Sequence, residues 1–250
     1  MRALITGASS GIGRDMAREL HKRGYSLILA ARRYDRLESL KNELGNNVDI
    51  YSVDLSDKEK CIEFVDKIKH KDIDLVINNA GFGLVGEFVE TDINRELEMI
   101  DLNITALHII TKEFLKIFDK KAEGHILNVA SSAAFLPGPL LSTYYATKAY
   151  VMRLTVALNE EMKKRGKKNV KLCCLCPGPV STEFDQVANV KFSLSALKSD
   201  YVAKYAIKKA LKGKTIIIPG LGMRFLVSLQ KFLPETFLAK VAYRIQKKKM

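Results

Sequence analysis

The chain has 250 residues, of which 47% are hydrophobic and 28% charged, which allows a large core and excludes general disorder. Forty-one lysines and arginines against 28 acids leave a formal charge of +13, which suits nucleic acid, an anionic membrane or a phosphorylated small molecule. Four cysteines, three of them at 173, 174 and 176, are no extracellular disulfide framework, and Met1 runs into Ala3-Leu4-Ile5 without a signal-peptide pattern. No apolar run approaches the roughly 20 residues that span a bilayer, so a soluble, cytoplasmic protein is expected.

Short apolar runs occur at 3–6, 26–30, 48–53, 73–77, 125–129, 170–176 and 215–218. They are near-continuous rather than alternating, which predicts strands covered on both faces. Helix-period segments lie between them. Ile12, Met16 and Leu20 share one face and stop at Gly24; Leu37, Leu40 and Leu44 share another and stop at Gly45; Asp57 caps a third bearing Cys61, Val65 and Ile68. Seven strands alternating with helices predict an α/β fold: a doubly wound, mainly parallel seven-stranded sheet with helices on both faces, Rossmann-type. Residues 1–220 are read as one domain and 221–250 as a C-terminal extension packed on or near it.

Directly after the first strand comes Thr6-Gly7-Ala8-Ser9-Ser10-Gly11-Ile12-Gly13. A strand, a glycine-rich turn and a helix start set unpaired N–H groups and a positive helix end against a diphosphate. The spacing is G-x3-G-x-G rather than G-x-G-x-x-G, so its place after strand one carries the reading. The second strand ends Ala30-Ala31-Arg32-Arg33, without the carboxylate that an NAD site offers to the ribose. Arg32 and Arg33, helped by Arg14, suit a 2′-phosphate through their planar forks, and the expected cofactor is NADP(H).

Tyr144 and Lys148 stand at i and i+4 of a helical pattern continued by Val151, Leu154 and Leu158, so both leave one face. An ammonium beside a phenol favours the phenolate and predicts a lowered Tyr144 pKa. Thirteen residues upstream, Ser131 closes a predicted strand, at the end where ligands bind in open α/β sheets. Tyr145 and Ser132 are neighbouring decoys. Asp54 closes the third strand, Asn78-Asn79-Ala80-Gly81 follows the fourth, Asn103 begins a helix, and Pro177-Gly178-Pro179-Val180-Ser181-Thr182 follows the sixth.

In order and spacing these motifs resemble the short-chain dehydrogenase/reductase family in its compact branch, over about residues 1–220. The resemblance implies an oxidoreductase acting on a small carbonyl or alcohol substrate. Tyr144 would be the general acid or base, Ser131 the hydrogen-bond partner of the substrate oxygen, and Asn103 the anchor of a proton-relay water. Lys148 would hold the nicotinamide ribose. Gly7, Ser9, Ser10, Gly11, Ile12, Gly13, Arg32, Arg33, Asp54, Asn79, Ala80, Gly81, Pro177, Gly178, Val180 and Thr182 would contact the cofactor along with Tyr144 and Lys148. Asp54 is assigned to the adenine amino group, Asn79 to the adenosine side, and Val180 and Thr182 to the carboxamide. Relatives are dimers or tetramers, so a homodimer or homotetramer is expected. The competing classes are a catalytically silent NADP-binding sensor or scaffold, and a nucleic-acid binder; the latter rests on charge alone, with no accompanying motif.

Cys173 and Cys176 form a C-x-x-C, but in a strand residues three apart face opposite sides, so they read as small buried hydrophobes without a metal. His21, His70, His108 and His125 show no metal-ligand spacing. Residues 183–200, with Phe184 and Phe192, fall where relatives carry a substrate lid. In the tail, Pro234 and Glu235 start a helix on which Phe237, Val241 and Ile245 align beside Leu238 and Ala242, and Arg244 with residues 247–249 ends it in positive charge. This segment is open to three roles: a cap on the cleft or a subunit contact, a peripheral contact with an anionic membrane, or a solvated end. The apolar lid and tail point to a lipophilic substrate.

Overall fold

A computed structural model describes residues 1–183 and 196–247 of the chain. Its centre is a seven-stranded sheet built from β1 (Arg2–Thr6), β2 (Ser26–Ala31), β3 (Val48–Ser52), β4 (Leu75–Asn78), β5 (Glu123–Val129), β6 (Asn169–Leu175) and β9 (Ile216–Ile217). The order is β3-β2-β1-β4-β5-β6-β9 with every pairing parallel, in registers such as Ala3 with Leu27 and Leu127 with Cys173. Winding reverses between β1 and β4, which opens a crevice at the carboxyl ends of those strands. A two-stranded ribbon, β7 (Val180–Ser181) with β8 (Leu197–Lys198), lies beyond β6.

Both faces are covered because the strands are apolar on both sides. One core gathers Met16 and Leu20 of α1 (Gly11–Lys22), Leu37 and Leu40 of α2 (Tyr34–Leu44), and Ala203 and Ile207 of a helix at Ser199–Ala210. The other gathers Phe64 and Ile68 of α3 (Lys58–Ile68) with Phe114 and Phe118 of α5 (Leu107–Lys121). Asp57 caps α3, its side chain accepting from Glu59 N and Lys60 N. β3 departs from the two-face expectation: at the sheet edge only Val48 is fully buried, and Ser52 is exposed.

Between α4 (Ile93–Ile100) and α5 the chain continues as a π-helical turn, Asp101–Ala106. Asn103 therefore lies inside a continuous helical rod rather than at its start, as the sequence had suggested. Such widened turns recur at functional sites because they rotate one side chain out of the helical pattern. α6 (Ser142–Lys164) carries Tyr144 and Lys148 on its first turns. Numbering on from α6, the helix at Ser199–Ala210 is α7, and α8 (Leu221–Gln230) and α9 (Glu235–Lys247) end the described chain.

A buried amide chain braces the sheet behind the crevice. Asn78 Nδ2 donates to Asn128 Oδ1 at 2.8 Å and to Thr111 Oγ1 at 3.0 Å, and Asn128 Nδ2 donates to Thr155 Oγ1 at 2.9 Å. β4 and β5 are thereby tied to α5 and α6 by groups that would cost free energy if left unpaired. No helix among the described residues is long and apolar enough to cross a membrane.

Candidate active site

The glycine turn after β1 folds back on the end of β4. Gly7 has φ +64°, and a Cβ on it would lie 2.8 Å from Ala80 Cα. On Gly13 a Cβ would lie 2.4 Å from Asn79 Nδ2 and 2.5 Å from Gly7 O, so only glycine lets α1 approach this closely. Asn79 clasps the turn: its Nδ2 donates to the carbonyls of Thr6 and Gly7, each at 3.1 Å. The Thr6 hydroxyl accepts from Asn79 N and Ala80 N. The first turn of α1 lines the crevice at Gly11 and Ile12 and carries no acidic side chain, a setting that fits a diphosphate.

The arginines after β2 separate. Arg33 donates to Ser9 Oγ at 3.2 Å and to Ser10 Oγ at 2.9 Å, and pairs with Glu183 at 3.0 Å. Arg36, on the first turn of α2, pairs with the same Glu183 carboxylate. Arg36 first, then Arg33, holds that carboxyl below its ordinary range. Two guanidinium groups thus converge on one anion beside the glycine turn, with two hydroxyls against one of them, and the set fits a phosphate. Arg32, which also lines the cleft, reaches Glu98 at 2.9 Å, and Arg14 faces Glu43 at 3.6 Å. The sequence reading missed Arg36, although a third arginine one helical turn after Arg33 was visible. Asp54 accepts from Ser56 N and Ser56 Oγ at the mouth of the same cleft.

The cleft has a volume of about 670 Å³ and runs from Gly7, Ser9, Ser10, Gly11 and Ile12 past Gly81 to Ser131, Tyr144 and Lys148. Ser131 lies two residues beyond β5 in extended conformation, and its hydroxyl accepts from Ala133 N at 3.1 Å. Its hydroxyl faces the phenol of Tyr144 and acts to lower that group's pKa. Tyr145 turns elsewhere and accepts from Gln246 Nε2 at 2.6 Å, so of the two adjacent tyrosines Tyr144 faces Ser131. Pro177, Gly178, Val180 and Thr182 line the far wall, and Thr182 packs over Gly11.

Lys148 is 5% exposed and donates to Val129 O at 3.0 Å. Burial pushes its ammonium down to about 8, against the pull of Cys174 and Cys176. Its Nζ stands 5.8 Å from the centre of the Tyr144 ring. The predicted lowering of the Tyr144 pKa is not what results. Burial drives the phenol well above its ordinary range, more than the Ser131 hydroxyl lowers it, because the ring is 9% exposed. At neutral pH the phenol is therefore protonated and ready to donate. Asn103 Nδ2 donates to Phe82 O at 2.9 Å and to Thr147 Oγ1 at 3.1 Å, and Phe82 N donates to its Oδ1. A Cβ on Gly81 would touch both Asn103 Oδ1, at 2.7 Å, and Lys148 Nζ, at 3.2 Å, so a glycine keeps these two groups close.

All four cysteines are buried free thiols. Cys173 donates toward Ala210 O on one side of β6, while Cys174 and Cys176 meet on the other with sulfurs 3.6 Å apart. The reading of 173 and 176 on opposite faces agrees with this, and the i, i+2 pair under Lys148 was overlooked. Among the described residues no group of three or more histidines, cysteines or acids is placed to hold a metal. The lid expectation for 183–200, Phe184 and Phe192 included, lies mostly outside the described residues.

A parallel sheet that reverses beside a glycine cradle defines a nucleotide-binding protein of Rossmann type. Residues 1–191 match the family model described as short chain dehydrogenase, and the chain belongs to the short-chain dehydrogenase/reductase family. It is 30% identical over 251 residues to estradiol 17-beta-dehydrogenase 11 of Mus musculus, covering 98% of this chain and 84% of that protein. It is similar to a short-chain dehydrogenase from Sphingobium yanoikuyae in complex with NADPH, with TM-score 0.82 and 29% identity over 94% of this chain and 96% of that one. A short-chain dehydrogenase/reductase from Burkholderia phymatum in complex with NAD shares the fold, with TM-score 0.82 and 24% identity over 91% of this chain and 92% of that one. The family uses a nicotinamide cofactor, and one fold carries NADPH in the first structure and NAD in the second.

Proposed function

We propose that this protein is an NADP(H)-dependent oxidoreductase that interconverts a lipophilic carbonyl compound and its secondary alcohol. The observation that carries the reading is the meeting of Ser131, Tyr144 and Lys148 at one end of a cleft whose other end is the glycine cradle. A nicotinamide held there supplies or takes the hydride. Ser131 holds the substrate oxygen, and Tyr144, kept protonated by burial, gives its proton to the developing alkoxide. Lys148 holds the ribose hydroxyls and, with Asn103 behind Gly81, returns a proton to the phenol through an ordered water. Ser9, Ser10, Arg33 and Arg36 take the 2′-phosphate, Asp54 and Asn79 the adenosine side, and Val180 and Thr182 the carboxamide.

Lipophilicity follows from the wall that α8 and α9 add to the cleft, where Leu226, Leu229, Leu233 and Phe237 present side chains. The mouse relative is named for estradiol, which accords with such a substrate. NADPH oxidation followed at the nicotinamide absorbance band with a panel of short and long ketones and aldehydes tests the reading. Turnover that rises with chain length is expected, and a protein that binds NADPH yet consumes none with any of them would overturn it.

The same two helices and the turn between them support a peripheral membrane contact. Phe225 is 69% and Phe232 84% exposed, and residues 221–250 hold seven cations against one acid, Glu235. Exposed aromatics set among like-signed cations suit the interface of an anionic bilayer. In flotation, vesicles containing phosphatidylserine should carry the protein upward, and Phe225→Ser with Phe232→Ser should reduce the bound fraction about tenfold or more. Equal flotation of the double variant would contradict this contact. We place the protein in the cytoplasm, where its buried free thiols match a reducing compartment. We also assign a homodimer or homotetramer, for which the exposed Phe88, Val89, Ile93 and Leu97 before and on α4 offer an apolar strip.

A further inference from the structure

The wall contributed by α8 and α9 is apolar except at two points. Gln230 ends α8, and Gln246 sits one residue before the end of α9; both line the cleft. Gln246 is 5% exposed and spends its Nε2 on the Tyr145 hydroxyl, while its Oε1 meets no donor among the described residues. The Oε1 of Gln230 is likewise enclosed and without a donor. Buried side-chain oxygens nearly always find a partner, since an unpaired one keeps the cost of losing water and gains nothing in return. Two on separate helices, in one otherwise apolar wall of the cleft, are a place made for a donor from outside the chain.

We propose that Gln230 and Gln246 form a subsite accepting a hydrogen bond from a hydroxyl that the substrate carries remote from its reacting carbon. The substrate class is then a lipophilic ketone or secondary alcohol with a second, distal hydroxyl. This rests on the reading of the cleft as a substrate site. Amide oxygens only accept, so a distal keto, ether or phosphate group would leave both unpaired or repel them. A distal ammonium is disfavoured by the surrounding charge: Lys231, Lys240, Arg244 and Lys247 lie on or beside these helices and Glu235 is their one acid among the described residues. A hydroxyl brings the donor without the charge. A site shaped around a hydroxyl also rejects the analogue that lacks it, since both oxygens then stay unpaired in the complex.

The test uses matched pairs of 2-alkanones, with and without a terminal hydroxyl, across three chain lengths. Calorimetry on the full chain saturated with NADP+ reads binding, and kcat/KM with NADPH reads turnover. At one chain length or more the hydroxylated member should bind about tenfold tighter, or roughly 1.4 kcal/mol. Gln230→Met, which leaves the Tyr145 bond in place, should cut that ratio, and the pair Gln230→Met with Gln246→Met should bring it near one. Gln246→Glu, which keeps an acceptor, should retain it. Equal binding of both ketones at every length, or an undiminished ratio in the double variant, overturns the subsite while leaving the cleft as a substrate site. Failure of every ketone to bind overturns both.

Discussion

Tyr144→Phe is expected to slow carbonyl reduction by about 10²–10⁴-fold while NADPH affinity stays within about twofold. The substitution removes one hydroxyl from a ring that stays buried, so the packing of α6 on the cleft is kept, and the proton that must reach the alkoxide is lost. Ser131 is left without its phenol partner and cannot replace it, because a free hydroxyl is a far weaker acid. Single-turnover NADPH absorbance and a fluorescence titration of the nucleotide separate the two effects. The wild-type profile belongs to the same experiment. Burial holds the phenol protonated through the alkaline range, whereas Lys148 loses its proton near about 8. Reduction should therefore decline as pH rises through about 8, the charge on Lys148 failing before the phenol does. Robust reduction by Tyr144→Phe would remove the proposed chemistry.

Wild-type protein should bind NADP(H) at least about tenfold more tightly than NAD(H), and Arg33→Ala should weaken NADP(H) by about 10–100-fold with little change for NAD(H). The reason is positional. Arg33 touches Ser9 and Ser10 and shares an anion with Arg36, so its loss removes a fork aimed at the end of the glycine turn. Arg14→Ala serves as the control: that side chain faces Glu43, and its removal should leave the preference intact. Titration calorimetry with both dinucleotides reads all three proteins. Equal affinities in the wild type would overturn the cofactor assignment.

Most of the sheet was legible because parallel strands buried on both faces are written as unbroken apolar runs, as at Leu27 to Ala30. The edges were less so. β9 shrinks to Ile216 and Ile217, since the end of a sheet needs few backbone pairs, and β3 is only half-buried beyond Val48 because an edge strand is less well covered. The glycine turn and the Ser131–Tyr144–Lys148 arrangement could be read from spacing, each being set by one strand end or one helix face. What escaped depends on how separate elements meet. The π turn at Asn103 has no glycine or proline to announce it. The divergence of Arg32 and Arg33 is decided by Glu98 and Glu183, 66 and 150 residues away. Nothing local marks Gln246 as a neighbour of Tyr145, 101 residues earlier. The sign of the Tyr144 shift was missed because charge was weighed and depth of burial was not.

The Glu183 carboxylate lends one more property to the nucleotide end of the cleft. Arg33 and Arg36 share its single negative charge, so a phosphate arriving there displaces one negative charge and brings in about two. The association is an exchange of partners that gains about one unit of negative charge on the two forks. Its strength then reflects how much better a phosphate's three oxygens satisfy the forks than two carboxylate oxygens do. Added salt loosens the old pair as well as the new one, so it should weaken binding less than at a site without a resident carboxylate.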